Sequence, residues 1–377
     1  MTARFVFVLE QTLGHVAHTA NLERALAGTD WVDGTVVKLP YEPRGALERL
    51  PVLRNWSLRA SLMARSSLRR RLREVPVDAA FIHTQVSALL SVGLMREVPT
   101  VVSLDATPAN FDDVGAAYGH GRGHPLAEAA KAAVNRRAFR AAAALVTWSR
   151  MAADSLTADY GAAASRVRVI PPGVDLALFR PPSEPADRSG GLVRILFVGG
   201  DFARKGGPDL LAALQALPDA ELDVVTGSEV GPVPAGVRCR VHRGLRPGDP
   251  ALLELYRRAD VFALPSRGDC LPQVLAEAAA SGLPLVATAT GAMPEIVRDG
   301  SNGFLVPVGA PQDLRAALRR LVDSPDLRRS MGRASLDLAR REHDALTNHR
   351  RIFELLAEVA DLDRAIRLTD RPIEARD

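Results

Sequence analysis

Two carboxylates in the second half of the chain have a spacing that suits the binding of a ligand. Asp269 follows an apolar run that ends at Pro265, and Glu277 lies in a helix-like segment after seven intervening residues. Gly282 ends that segment before another apolar run. Such a strand–loop–helix–strand unit places its loop at the carboxyl edge of a parallel sheet, where open α/β sheets bind ligands. Amides at a helix start suit phosphates, and a carboxylate accepts hydrogen bonds from sugar or ribose hydroxyls.

Two cations precede these acids, in a glycine-rich loop of sequence GGDFARKGG at residues 199–207. Arg204 and Lys205 lie between an apolar run and a helix-like segment, although the loop lacks the G-x-G-x-x-G fingerprint of dinucleotide sites. A leaving diphosphate gains negative charge, and fixed cations stabilise that charge. Arg-Lys pairs are common on protein surfaces, so it is the position of this pair that favours a phosphate-binding role.

Together, these segments resemble the acid-x7-acid signature of family-4 retaining glycosyltransferases. That family has the GT-B architecture, an α/β fold of two Rossmann-like domains facing a cleft. The resemblance covers nearly the whole chain and is most specific over residues 193–306. It implies a hexosyltransferase that moves a sugar from a nucleotide-sugar donor to an acceptor, with retention of anomeric configuration. No cluster of Asp, Glu, His or Cys in the sequence has metal-ligand spacing, so we expect no metal ion or other cofactor. Two alternatives stay open: a sugar-nucleotide epimerase of the same architecture, and a non-catalytic relative that binds a nucleotide or glycan.

The resemblance implies donor-binding roles for several residues of the second half. Glu277 matches the family's second acid and would accept hydrogen bonds from ribose hydroxyls; alternatively it stabilises the helix dipole. Asp269 matches the first acid, usually glutamate, and would orient the sugar, or else cap the helix. Lys205 matches the lysine that holds the diphosphate.

The chain departs from the family pattern at positions that bear on phosphate binding. Gly200 stands where the family has an arginine, which leaves Arg204 as the nearest replacement. Pro272 has no N–H to offer a phosphate, so the amides of Gln273 and Val274 would bind it.

The first half carries the predicted acceptor side. Gly14 and His15 follow the first apolar run, where family members have a glycine loop that borders donor and acceptor. His15 is either a ligand contact or an ordinary surface histidine. Asp105 ends another apolar run, in a place comparable to a family histidine that contacts the sugar, or is a turn acid before a proline.

Asp105, Asp269 and Lys205 form the predicted catalytic set. The glycine-rich loop that follows Asp105 supplies His120 and His124 as further acceptor-side residues. Polar loops of this kind commonly carry binding residues.

Short apolar runs alternate with helix-like segments along the chain, as is typical of parallel sheets covered on both faces. We predict first-half strands at 4–9, 35–39, 79–83, 100–104, 144–148 and 167–170, and helices at 16–27, 46–73, 86–95, 125–140 and 149–160. The second half has predicted strands at 193–198, 222–226, 261–264 and 285–287, and helices at 208–216, 250–258 and 271–281.

A Pro-, Ser- and Gly-rich stretch near residues 180–191 predicts an interdomain linker. We therefore expect an N-terminal, acceptor-side Rossmann-like domain at 1–180 and a C-terminal, nucleotide-sugar-binding one at 192–344. A C-terminal helix at about 345–377 would pack back on the first domain.

Composition narrows the class of protein further. The 377 residues carry a net charge of +4, and the basic residues are almost all arginine. The two cysteines suggest a reducing compartment, and no apolar stretch reaches the roughly 20 residues that cross a bilayer. We expect a cytoplasmic protein that binds a nucleotide sugar and an acceptor that is a glycan, a lipid-linked molecule or a small molecule, but no nucleic acid.

Residues 54–73 form a predicted basic helix with interspersed apolar side chains such as Trp56, Leu62 and Leu68. Such a helix suits the anionic surface of the inner membrane, where lipid-linked acceptors are found. The alternative is a packed helix with a solvated arginine face.

Overall fold

The computed structural model describes residues 2–12, 14–42, 55–119, 121, 123–182 and 191–369; of Ala116 and residues 362–369 it describes the backbone only. Two compact units make up these residues. Unit 1 comprises the described residues of Met1–Pro108, Gly123–Pro171 and Leu346–Asp377. Unit 2 comprises those of Ala109–Arg122 and Pro172–Ala345.

Unit 1 is built on a parallel β-sheet. Its strands are β1 (Ala3–Gln11), β2 (Val32–Pro40), β3 (Ala79–His83), β4 (Thr100–Leu104), β5 (Ala144–Thr147) and β6 (Val167–Val169). They pair in parallel in the spatial order β2-β1-β3-β4-β5-β6. Every residue of β3 and β4 is buried, because helices cover both faces of such a sheet.

The helices of the first half connect these strands. They are α1 (His15–Ala27), α2 (Trp56–Glu74), α3 (Gln85–Ala88), α4 (Pro108–Val114), α5 (Pro125–Ala141) and α6 (Arg150–Ala158). The continuous helix predicted at 86–95 is wrong: α3 ends at Ala88, and a separate 3₁₀ turn covers Leu94–Arg96. Ser91 and Gly93 lie between the two, and both residue types disfavour a helix interior.

Helix α2 begins at Trp56, inside the helix predicted at 46–73. Asn55 caps it, since its side chain accepts a hydrogen bond of 3.0 Å from the amide of Leu58. Residues 43–54, which include the start of the predicted helix at 46–73, lie outside the described residues.

Unit 2 repeats the plan of unit 1. Its strands are β7 (Val193–Val198), β8 (Ala220–Val225), β9 (Arg238–His242), β10 (Val261–Leu264), β11 (Leu285–Thr288) and β12 (Gly303–Val306). They form a parallel sheet in the order β12-β11-β10-β7-β8-β9. The helices are α7 (Gly207–Leu214), α8 (Pro250–Arg258), α9 (Gln273–Ala280), α10 (Met293–Ile296), α11 (Pro311–Asp323) and α12 (Pro325–Glu342).

The two edge strands of this sheet, β9 and β12, were not predicted from the sequence. β9 has the sequence RCRVH and no fully buried residue, so it is not the continuous apolar run that identifies central strands. β12 has only four residues and begins with a glycine, which is typical of turns rather than of strands.

The last helix, α13 (Ala345–Thr369), supplies apolar side chains to the core of unit 1. The ring of Phe353 lies 5.7 Å from that of Phe7 on β1, and Phe7 lies 5.9 Å from Phe81 on β3. Among the described residues, none of the helices combines the length and the apolar character needed to cross a bilayer.

Candidate functional site

The carboxyl edge of the sheet in unit 2 brings the predicted donor-binding loops together. β7 and β10 are neighbours in the sheet, so the loops that follow them start side by side. Gly206 has a positive φ of 79°, and a Cβ there would collide with the carbonyl oxygen of Pro265. Gly291, with a φ of 55°, approaches the carbonyl of Asp269 in the same way. Glycine is needed at both positions, because it allows this close approach and this backbone conformation.

Three predicted residues meet at this edge. Nζ of Lys205 donates a hydrogen bond to Oδ2 of Asp269 within an ion pair. A terminal nitrogen of Arg204 lies 3.9 Å from the same carboxylate oxygen and donates a bond of 2.9 Å to the carbonyl of Gly268. The three side chains are largely buried, so their charges are poorly screened by solvent.

Asp269 does not cap the following helix, so that alternative from the sequence is wrong. α9 begins at Gln273, the residue before it is Pro272, and no side chain caps this start. The aspartate instead lies on the loop, where its carboxylate is used by Lys205 and Arg204.

Arg204 also contacts Tyr118, in a segment whose proximity to Arg204 was not predicted from the sequence. Its guanidinium lies over the ring of Tyr118, 4.3 Å from the ring centre, and both residues belong to unit 2. Nearby, a Cβ on Gly268 would come within 2.5 Å of the Cβ of Ala117. The chain after α4 therefore packs directly on the loop that carries Asp269.

The start of α9 supplies the remaining predicted donor-binding groups. The first amides of any helix lack a carbonyl partner in the preceding turn, so those of Gln273 and Val274 are free of intrahelical bonds. Glu277 lies one turn further on and is only 6% exposed. Its Oε2 accepts a hydrogen bond of 2.7 Å from the hydroxyl of Tyr256 on α8.

The environment of Glu277 alters its acidity. Burial raises the pKa of Glu277 to about 7, although the hydrogen bond from Tyr256 acts in the opposite direction. Burial, together with the charge and hydrogen bond of Glu277, raises the pKa of the Tyr256 hydroxyl well above its usual value. Glu277 is therefore not a solvated acid of the first helical turn, and the dipole-stabilising alternative does not describe it.

A second cluster forms at the carboxyl edge of the sheet in unit 1. Glu10 lies near the end of β1, and Asp105 follows β4. Between them is His15, the first residue of α1. Nδ1 of His15 lies 2.7 Å from Oε1 of Glu10, and Nε2 lies 3.8 Å from Oδ2 of Asp105.

The two carboxylates determine the charge of this imidazole. Burial of the ring opposes its protonation, but the neighbouring carboxylates of Asp105 and Glu10 outweigh it and raise the pKa of His15 to about 10. His15 is therefore an imidazolium at neutral pH, and the interpretation as an ordinary surface histidine is wrong.

Further rings pack beneath His15. His83, at the end of β3, stacks on Trp148 with ring centres 4.8 Å apart, and His18 stacks on His349 of α13 at 5.0 Å. Burial lowers the pKa values of His18 and His83 well below the usual range, and the neighbouring histidine charges act in the same direction. Both rings are therefore neutral at neutral pH.

The other predicted acceptor-side residues have simpler surroundings. Gly14 precedes α1 with a φ of −65°, a conformation that any residue adopts. His124 is exposed and caps α5, since its Nδ1 accepts a bond of 3.3 Å from the amide of Leu126. His120 lies outside the described residues. Roles for these residues in acceptor binding stay predictions.

Glu10, Tyr118 and Tyr256 are the site residues that sequence reasoning missed. Glu10 could have been identified from the sequence, because it is the one acid of β1 and directly follows the apolar run at residues 5–9. Within the described parts of the chain, no group of three or more His, Cys, Asp or Glu side chains has an arrangement that could hold a metal ion. Cys239 and Cys270 are both free thiols.

Two family models match the chain, one for each half. The model described as "Glycosyltransferase Family 4" matches residues 14–178, and that described as "Glycosyl transferases group 1" matches residues 193–324. A curated relative, D-inositol 3-phosphate glycosyltransferase from Segniliparus rotundus, is 35% identical over 211 residues, which are 51% of this chain and 47% of the relative. The chain spans about half the length of the curated relatives it matches.

Solved structures share the fold over almost the full length. Sucrose-phosphate synthase from Thermosynechococcus elongatus superimposes with a TM-score of 0.74 at 17% identity, covering 95% of this chain and 99% of that one. Anabaena HepE, solved with UDP and glucose, gives a TM-score of 0.68 at 18% identity and covers 94% and 100%. The α/β fold with two parallel sheets, expected as GT-B, is thereby confirmed.

Proposed function

Because the chain belongs to the group 1 and family 4 glycosyltransferases, we propose that it transfers a hexose from a nucleotide-sugar donor to an acceptor hydroxyl. The transfer would retain the anomeric configuration and need no metal ion. The observation that carries this proposal is the cluster of Lys205, Arg204 and Asp269 at the sheet edge of unit 2. It offers cations to a diphosphate and a carboxylate to a sugar hydroxyl, the two groups that a nucleotide sugar presents.

In the proposed complex, unit 2 binds the donor. The diphosphate is held by Lys205, Arg204 and the amides of Gln273 and Val274, since a helix start favours anions. Lys205 must then share its charge between the phosphate and Asp269, to which it is bonded in the free protein. Released in part from Lys205, Asp269 accepts a hydrogen bond from the transferred sugar.

Glu277 is the proposed ribose ligand. Tyr256 occupies only its Oε2, so Oε1 keeps both lone pairs for ribose hydroxyls. We take a uridine nucleotide as the first donor to test, because HepE was solved with UDP and with UDP-glucose.

Unit 1 is the proposed acceptor-binding unit, with Asp105 as the residue that meets an acceptor hydroxyl. The curated relatives are named D-inositol 3-phosphate glycosyltransferases, which makes polyols and polyol phosphates the first acceptors to test. Glycans and lipid-linked saccharides follow in the same panel.

The proposed chemistry takes place on one face of the sugar. The bond from the anomeric carbon to the diphosphate breaks while the acceptor oxygen bonds to the same face, and the departing phosphate takes the acceptor's proton. Lys205 and Arg204 stabilise the charge that the phosphate gains. No carboxylate nucleophile is needed for this route to retention.

The proposal includes contact with an anionic membrane surface on the cytoplasmic side. The buried face of α2, with Ala60, Ala64 and Leu68, packs within unit 1. The opposite face exposes Leu62 and several arginines. An apolar side chain among arginines suits binding to anionic headgroups.

A thermal-shift screen against nucleoside diphosphates and their sugars tests the proposed donor class. A ligand at about 100 times its Kd stabilises the native state by about 2.7 kcal/mol, so the right nucleotide raises the melting temperature visibly. Incubation of that donor with and without acceptors then separates the activities. Transfer to an acceptor supports the proposal, an isomerised donor without acceptor identifies an epimerase, and binding without turnover identifies a non-catalytic relative.

A further inference from the structure

Glu10 is a buried carboxylate with a hydrogen-bond donor at each of its two oxygens. Its side chain is 5% exposed. Thr12 donates a hydrogen bond of 2.9 Å to Oε1, and Thr84 donates one of 3.0 Å to Oε2. Nδ1 of His15 lies 2.7 Å from Oε1. A buried charge persists only with such hydrogen bonds and a counter-charge, so the surroundings of Glu10 are built for the ionised form.

His15 has a carboxylate opposite each of its ring nitrogens. A neutral imidazole has one N–H and one lone pair, and the lone pair would face the negative oxygens of Glu10 or Asp105. Only the imidazolium presents an N–H to both. Nδ1 also lies 3.0 Å from Oγ1 of Thr12, and Nε2 is 3.8 Å from Asp105, so the geometry favours a charged ring.

The ring of His15 is also fixed in direction by its neighbours. Its centre lies 4.6 Å from that of His83 and 5.2 Å from that of Trp148, both in edge-to-face contact. His18 of α1 and His349 of α13 complete the set of titratable rings packed around these groups. His18 and His83 are neutral, and the two carboxylates that face the ring nitrogens of His15 are Glu10 and Asp105.

Asp105 is the only member of this set with substantial exposure, at 32% of its side chain. Oδ1 accepts a hydrogen bond of 2.9 Å from the amide of Ala106, and Oδ2 faces His15. Each carboxylate oxygen has two lone pairs, so the exposed side of Asp105 can accept a further hydrogen bond.

We propose that Glu10 is a positioning residue: it holds His15 as a cation, and His15 in turn orients Asp105 to accept a hydrogen bond from a substrate hydroxyl. This inference rests on the proposed function, since it assigns the acceptor-side hydroxyl to Asp105. The two carboxylates and the imidazolium together carry one net negative charge. The substrate therefore presents an uncharged hydroxyl of a sugar or polyol here, and any anionic group it carries is bound elsewhere.

The test begins with the charge of His15, measured by long-range ¹H–¹⁵N NMR of histidine-labelled protein, with the signal assigned from His15→Gln. In the wild type, His15 stays an imidazolium from pH 6 to about pH 9. In Glu10→Gln, the midpoint falls by about one pH unit or more, because one counter-charge is lost. Glu23→Gln, whose exposed side chain pairs with Lys38, is the matched control and leaves His15 unchanged.

The second readout is kinetic. Glu10→Gln lowers kcat for transfer about tenfold or more while the nucleotide Kd is unchanged, since Glu10 lies in unit 1. Glu10→Asp restores part of the loss because it keeps the charge. If Glu10→Gln does not fold, Asp105→Asn replaces it in the NMR experiment, where removal of the other counter-charge lowers the His15 midpoint in the same way.

Two results would overturn the inference: a wild-type His15 that titrates near pH 6.5, or a His15 midpoint that neither substitution shifts. These outcomes are independent of catalysis. If His15 titrates as described but the protein transfers no sugar, the proposed function and the substrate role of Asp105 are refuted. The positioning of His15 by Glu10 is then still supported.

Discussion

Tyr256 donates a hydrogen bond of 2.7 Å to Glu277, and both side chains are buried in unit 2. The bond joins α8 to α9 and fixes the carboxylate that we propose as the ribose ligand. A carboxylate held by one partner loses less rotational freedom when a ligand binds, so Tyr256 preorganises Glu277 for that ligand.

Replacement of Tyr256 by phenylalanine tests this preorganisation. Tyr256→Phe keeps the ring contacts with Phe179 and Phe262 but removes the hydroxyl. Loss of the hydrogen bond raises the pKa of Glu277 further, because that bond favours the charged form. We expect UDP to bind about tenfold more weakly at pH 7, measured by calorimetry, with a smaller difference at pH 9. An unchanged Kd at pH 7 would show that the bond has no part in nucleotide binding.

Glu277 also makes a testable contribution to stability. Its folded pKa of about 7 lies above the usual glutamate value of 4.5, so the folded state binds its proton more tightly than the unfolded state does. The contribution of this tighter proton binding to the free energy of unfolding is fully present below pH 4.5. It is lost as the pH rises to about 7.

Glu277→Gln cannot ionise and does not undergo this loss. The free energy of unfolding of the variant, relative to the wild type, should rise by up to about 3 kcal/mol between pH 5 and pH 8. Urea unfolding at the two pH values measures the change. Glu254→Gln, an exposed acid on α8, is the control and should show no such trend. A constant difference between Glu277→Gln and the wild type would contradict the raised pKa.

Lys205 and Asp269 should respond to substitution in opposite directions. Lys205→Ala removes the main cation for the diphosphate, and we expect the Kd for UDP to rise about tenfold or more. Asp269→Asn removes the carboxylate that competes for Lys205, so UDP should bind as tightly as to the wild type or more tightly. Transfer should nevertheless fall, because the sugar is no longer oriented.

Calorimetry with UDP and with uridine separates these effects. Uridine has no phosphate, so Lys205→Ala should leave its binding unchanged. Lys38→Ala, a lysine paired with Glu23 in unit 1, is the control for charge alone. Weaker UDP binding by Asp269→Asn would argue that the aspartate contacts the nucleotide instead of competing for Lys205.

The exposed face of α2 predicts binding to anionic vesicles. Arg69, Arg70 and Arg73 are exposed on this helix. Each arginine near an anionic surface contributes about 1 kcal/mol, so the triple substitution to glutamine should weaken vesicle binding about 100-fold. Co-sedimentation with phosphatidylserine vesicles measures it, and added salt should reduce it.

The matched control places the same charge change on another exposed helix. Substitution of three arginines of α12 by glutamine alters the net charge equally, at Arg329, Arg333 and Arg340. If this control loses as much vesicle binding as the α2 variant, general charge and not α2 is responsible. If the wild type does not pellet with anionic vesicles, the proposed membrane contact is wrong.

The sequence could indicate that Lys205 and Asp269 lie close together, because their proximity depends on the sheet topology. Lys205 and Asp269 each follow a continuous apolar strand, and the loops after neighbouring parallel strands meet at one edge. The acid-x7-acid spacing then located Glu277 on the helix between two strands. The apolar runs and the spacing of the two acids are local in the chain, so they can be identified without knowledge of the fold.

The partners of these residues are distant in the chain and could not be predicted in the same way. Thr84 donates to Glu10 across 74 positions, and Tyr256 precedes Glu277 by 21 positions, in a helix that was predicted but carried no predicted site residue. Tyr118 contacts Arg204 because the segment after α4 belongs to unit 2, although its flanking residues belong to unit 1. Nothing in the local pattern of charge or hydropathy indicates such a return of the chain.

The anomeric configuration of the product tests the central claim most directly. The protein is incubated with UDP-α-glucose and a panel of polyols, polyol phosphates and saccharides, and the product is analysed by NMR. We predict an α-glycoside formed by the wild type and not by Lys205→Ala. A β-glycoside would contradict retention, and a donor that stays intact with every acceptor, although UDP binds at Lys205, would contradict the proposed transfer itself.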